Sequence, residues 1–107
     1  MFDKLKEVEA KYNDISERLT DPAVISDNDR YKKLMREHKQ LTPIIDKFHE
    51  YEAAKVNFDE AKALLDEGGI DKDFKEMVEE QMLESKDIID RVSAEIKILL
   101  LPRDPND

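Results

Sequence analysis

Asn28 to Glu67 reads NDRYKKLMREHKQLTPIIDKFHEYEAAKVNFDEAKALLDE, preceded by Ser26-Asp27 and followed by Gly68-Gly69. Along it Tyr31, Leu34, His38, Leu41, Ile45, Phe48, Tyr51, Ala54, Phe58, Ala61 and Leu65 recur at steps of three and four. An α-helix with 3.6 residues per turn gathers that spacing into one apolar stripe. At ~1.5 Å per residue such a helix is a rod of roughly 58 Å, too long to be the buried centre of a small globule. It is expected to be a spine, with other segments laid along it.

The stretch has one flaw, Thr42-Pro43. Proline inside a helix removes a hydrogen bond and crowds the preceding turn, at ~3 kcal/mol or more. Thr42 as a new N-cap, with Pro43 in the first helical position, is the alternative. The stripe runs on through Leu41, Ile45 and Phe48, which favours a kink over a full break. Just beyond, Phe48, Tyr51 and Ala54 step by three and three where a heptad steps by three and four, a phase slip that locally overwinds a coiled coil or marks a change of helix partner.

Outward from the spine, Phe2, Leu5, Val8, Tyr12, Ile15 and Leu19 form the stripe of a shorter helix over residues 2–20, with Glu7 and Lys11 placed to pair outside it. Thr20-Asp21-Pro22 ends it, because the residue before a proline leaves the helical region. Ala23-Val24-Ile25 reads as a short connector that tucks Val24 or Ile25 against the helix ends. Ser26 or Asp27 then caps the long helix. Beyond the glycines Asp71 caps a third helix, 71–101, striped by Phe74, Val78, Gln81, Ser85, Ile88, Val92, Ile96 and Leu99. Met77 and Met82 read as gap-filling core beside it, and Asp87 and Arg91 as an outer pair. Pro102 stops it, and 103–107 reads as an extended tail.

Short connections make these helices antiparallel neighbours. The expected fold is all-α: an elongated antiparallel three-helix bundle continued by a coiled-coil hairpin. All three helices are expected to overlap only around His38 to Asp46, with the hairpin tip at Gly68-Gly69.

Composition narrows the function. The chain has 107 residues, enough for one small domain. Charged residues are 42% of it, the formal net charge is -9, and there is no cysteine. High charge and low hydropathy raise the possibility of disorder, which the sustained stripes oppose. An acidic chain is a poor clamp for nucleic-acid phosphates, which call for clustered Lys and Arg, so a protein surface is the better partner. The absence of cysteine excludes disulfides and zinc thiolates and fits a cytoplasmic setting. The longest apolar run, Ile98 to Leu101, is far short of the ~20 residues that span a bilayer.

No residue set announces catalysis. Carboxylate pairs such as Glu79-Glu80 and Glu50-Glu52 lie on thin helical faces that offer no pocket to separate their pKa values. His38 sits on the stripe and reads as a packed histidine with a hydrogen-bond partner, and His49 lies beside the stripe. Eleven residues separate them, a spacing that does not suggest metal ligation. Gly68-Gly69 is followed by Ile70 and cradles no phosphate. No catalytic, cofactor or metal residues are expected, and the chain is not expected to be an enzyme.

The end of the chain is more specific. Ile98-Leu-Leu-Leu-Pro-Arg-Asp-Pro-Asn-Asp107 resembles the segment that closes the first domain of bacterial class-I peptide chain release factors, in the subtype that reads UAA and UAG. Asp29-Arg-Tyr-Lys-Lys-Leu-Met-Arg-Glu-His-Lys-Gln-Leu-Thr-Pro43 and the Leu-Thr-Asp-Pro ending of the first helix agree with it. The family's hydrolytic Gly-Gly-Gln motif and codon-reading Pro-x-Thr are both absent here. The resemblance implies the amino-terminal helical domain alone. Residues 1–101 would be a docking domain and 102–107 the start of a linker to the next domain. It implies, as partners, the ribosome near the stalk base of the large subunit and the class-II release factor GTPase. The competing expectation is a stand-alone coiled-coil scaffold that self-associates, whereas a docking domain is expected to be a monomer.

Overall fold

The computed structural model describes residues 2–102, with Phe2 described by its backbone alone. Four helices follow one another: α1 (Phe2–Arg18), α2 (Pro22–Ile25), α3 (Asn28–Glu67) and α4 (Lys72–Leu99). Among the described residues there is no strand. The fold is all-α. The tail expected over 103–107 lies outside the described residues.

Local chemistry sets the helix ends. α1 stops two residues earlier than its periodicity suggests, as the Thr20 amide turns back to the Glu17 carbonyl at 3.1 Å. The Thr20 hydroxyl donates to the same carbonyl at 2.7 Å. The expected connector is itself a helical turn. Asp21 caps α2 by accepting from the Ala23 amide at 2.9 Å, and Pro22 takes a first-turn position that needs no donor. Val24 is buried, at 1% exposure, and Ile25 is not, at 53%. Asp27 is the residue that caps α3, its carboxylate accepting from the Arg30 amide at 3.3 Å. The Ser26 hydroxyl donates instead to Ala23 O.

Pro43 lies inside α3 without ending it. Proline at 43 leaves the Lys39 carbonyl without its helical donor. Both Lys39 and Pro43 are exposed, so water can serve that carbonyl. Ile45 and Phe48, buried just beyond the proline, anchor the helix there. Gly68 and Gly69 close α3 at φ +72° and +75°, the left-handed region where only glycine carries no Cβ penalty. Asp71 caps α4 by accepting from the Phe74 amide at 2.8 Å.

The chain packs as two compact units, Met1–Asp46 and Lys47–Asp107, and α3 contributes to both. In the first, α1 and the opening half of α3 run antiparallel: Tyr12 meets Thr42 and Ser16 meets His38. In the second, the rest of α3 and α4 form an antiparallel hairpin. Lys47 and Glu50 meet Glu95 and Arg91 at one end, while Glu67 and Lys72 are joined by the glycine turn at the other. Ala54 and Ala61 on α3, and Val78, Ser85 and Val92 on α4, are buried at seven-residue intervals. That interval is the seam of a coiled coil.

The seam uses less of α4 than its stripe promised. Phe74 and Leu99 are partly exposed, Gln81 is exposed, and Met77 stands 65% exposed where gap-filling core was expected. Met82 is half-buried. Small residues at Ala54, Ala61 and Ser85 fill the seam, so the two helices need less apolar volume between them than two leucine-rich partners would.

Candidate functional site

The first unit holds a closed polar circuit. The Ser16 hydroxyl donates to Tyr12 O at 2.9 Å, and its one proton is thereby committed. His38 Nε2, 3.0 Å from Ser16 Oγ, is therefore the donor in that pair, which fixes the tautomer. By the same count, the Thr42 hydroxyl donates to His38 O at 2.8 Å, so the Tyr12 hydroxyl donates to Thr42 Oγ1 at 3.1 Å. Each ring's polar end thus reaches a hydroxyl that caps the other residue's carbonyl. His38 is a packed and hydrogen-bonded histidine, as its place on the stripe suggested. Lys11 reaches across to Glu37 on α3, where Glu7 on its own helix was the expected partner.

The second unit holds a charged cluster at the open end of the hairpin. Lys47 Nζ lies 2.6 Å from Glu95 Oε2 and 3.4 Å from Glu50 Oε2. Arg91 joins the other side, 3.1 Å from Glu50 and 3.3 Å from Glu95. Arg91 was expected to pair with Asp87; it meets Glu95 one turn further along α4, and the packing of α3 against α4 adds Glu50. Contact with the Lys47 ammonium, and then with Arg91, holds the Glu95 carboxyl below the ordinary carboxylate value. Glu95 in turn raises the Lys47 ammonium, and Glu50 raises the Arg91 guanidinium. A carboxylate held ionised by two cations fixes helix register. It is poorly suited to passing a proton at neutral pH.

What remains is surface. Val56, Leu64, Phe74, Met77 and Leu83 are exposed on the hairpin. Met77 shares a shallow depression with Glu80, Gln81 and Glu84, and exposed Glu76 and Glu79 flank it. Apolar side chains ringed by carboxylates suit a partner surface that is both apolar and basic. Among the described residues, no helix is long and apolar enough to cross a membrane.

The PCRF domain model matches residues 8–107. The chain belongs to the PCRF domain family. This PCRF domain is 42% identical over 107 residues to peptide chain release factor 1 of Caldicellulosiruptor saccharolyticus, covering 100% of this chain and 30% of that protein. To the peptide chain release factor 1 of Acetivibrio thermocellus it is 45% identical, over 100% of this chain and 29% of that one. To that of Lactococcus lactis subsp. lactis it is 39% identical, with coverages of 100% and 30%. It therefore spans about 30% of the length of the curated relatives it matches, in their amino-terminal region. No solved structure matches it. The matched range, residues 8–107, includes the Asp29–Pro43 stretch, the Leu19-Thr-Asp-Pro22 ending of the first helix and the tail that carry the release-factor resemblance. Arg103 to Asp107 of that tail lie outside the described residues.

Proposed function

We propose that this PCRF domain is the amino-terminal docking domain of a translation termination factor. The complete factor directs stop-codon-dependent release of the nascent peptide in the cytoplasm. The observation that carries the reading is similarity across all 107 residues to proteins of which this chain is 30%. The domain contributes attachment, to the large ribosomal subunit near its stalk base and to the class-II GTPase. It leaves codon reading and hydrolysis to segments carrying Pro-x-Thr and Gly-Gly-Gln, neither of which its sequence contains. It does not act as an enzyme by itself, and it is a monomer. Exposed Met77 and Phe74 among carboxylates support docking to basic protein. The rival reading, a self-associating scaffold, gains no support from these likenesses.

Binding energy from a remote domain holds a factor in place without touching the reacting bond. Stop-codon release assays on the complete factor and on a form lacking residues 1 to 101 test this. Removal should raise the half-saturating concentration and change the dependence on the GTPase, with a smaller effect on single-turnover release at saturation. Loss of release even at saturation, or release by residues 1–107 alone, would refute the docking role.

A further inference from the structure

The last turn of α4 carries apolar surface that the hairpin does not use. Ile96 is fully buried, but Ile98 is 67% exposed, Leu101 65%, and Leu99 is partly exposed. In a chain that is 42% charged, these are large side chains to leave in water within one turn of each other. Ile98 and Leu99 line a shallow, open cleft of about 340 Å³ with Lys47 and Glu95. The Lys47 ammonium is drawn onto Glu95 and Glu50, and Arg91 is drawn onto the same two carboxylates. The cations are therefore already neutralised, and the wall they share with Ile98 and Leu99 is more apolar than its residue types suggest.

The cleft sits where the chain leaves the hairpin. Leu100 caps α4 through its amide to Ile96 O and Ile98 O, and Pro102 cannot continue the helix. Pro102 is only three residues beyond Leu99, so a segment joined after residue 107 is tethered to the cleft at an effective concentration on the order of millimolar. The first 107 residues cover only 30% of the relatives' length, so in those proteins a large remainder starts at this point. From the cleft, its position and that remainder, we infer that the Ile98–Leu99–Leu101 edge seats an apolar side chain of the segment following residue 107. The seat fixes the direction in which the rest of the factor leaves this domain. This rests on the reading above that the chain is the first part of a longer factor. A second copy of the chain is the competing occupant.

The chain has no cysteine, so an introduced thiol reports one position. Ile98→Cys is labelled with a maleimide in residues 1–107 and in the complete protein, its other cysteines replaced, and Leu83→Cys serves as the comparison site. Labelling at 98 should be roughly tenfold slower in the complete protein, as for a seat open about a tenth of the time. Labelling at 83 should be equal in both. Leu99→Cys should be slowed likewise, and its rate should recover when Ile98→Asp is added. Equal rates at 98 in the two proteins overturn the seat alone. Slowing within 1–107 that grows with its concentration assigns the edge to a second copy and overturns the inference. A reading frame that closes at Asp107 overturns both the inference and the reading it rests on.

Discussion

His38 lies stacked on Tyr12, ring centroids 4.3 Å apart and planes within 18° of parallel, and the two are tied twice more through Ser16 and Thr42. The stack and the two hydroxyl bridges set the register of α1 on α3 in the first unit. The hydroxyls of Ser16 and Thr42 each donate within their own helix and accept from the other. A sliding motion of one turn would break both bridges together.

Stability should follow that division of labour. Tyr12→Phe keeps the ring and loses one hydrogen bond, an expected cost of about 0.5–1.5 kcal/mol. Tyr12→Ala also loses the stack and the buried area, and should cost more than twice as much. Urea midpoints of the two variants check this. Equal costs would mean that the hydroxyl bridge, and not the ring, carries the contact.

The hairpin core predicts its own order. Phe48 is fully buried and Leu65 only partly so. Phe48→Ala should cost about 3–5 kcal/mol, the range for emptying a buried aromatic site. Leu65→Ala, nearer the glycine turn, should cost less. Denaturant titrations giving the reverse order would place the stability of the hairpin at its tip.

The charged cluster should show its sign in pH. Glu95 is held below its ordinary value of 4.5, so its contribution is complete above that value and is lost as pH falls through the lower folded one. Lys47 is held above 10.5, so its contribution is complete below that and is lost as pH rises past the raised value. The difference in thermal midpoint between the native chain and Glu95→Gln should be flat through neutrality and shrink in acid. Partial exposure of all four side chains means that added salt should also reduce it.

The turn tests backbone against space. A methyl group at Gly68 or Gly69 would meet nothing within 4 Å, yet both have positive φ. Gly69→Ala should still cost about 1–2 kcal/mol, entirely from the left-handed backbone. Gly69→Asn should cost less, because asparagine tolerates that region better. No loss on Gly69→Ala would mean that the turn relaxes to negative φ.

Much of this fold was legible because helix formation is local and periodic. Every member of the α3 stripe from Tyr31 to Leu65 is buried or half-buried, and the Phe48, Tyr51 and Ala54 phase slip falls on three buried residues. Gly68-Gly69 and Asp71 declared the turn and the cap because few residue types suit those backbone positions. The release-factor resemblance came from the tail and two helical stretches, and no candidate chemistry rested on it.

Tertiary structure decided whatever depended on a neighbour. Pro43 stays within one helix because its exposed side leaves the freed carbonyl to water while Ile45 and Phe48 are held beneath. Whether Val24 or Ile25 turned inward depended on the helical turn that Asp21 caps. Met77 carries core chemistry but projects into solvent, since small residues at Ala54, Ala61 and Ser85 fill the seam. Ion partners escaped sequence reasoning for the same cause. A helix sequence shows which charges lie one turn apart, as with Asp87 and Arg91, but only packing brings Glu50 across to Arg91 from forty-one residues away. The sequence by itself thus determined the three longer helices, the glycine turn with its Asp71 cap, and the apolar stripe of α3. The faces they turn to each other, and the surface left over for partners, followed from packing.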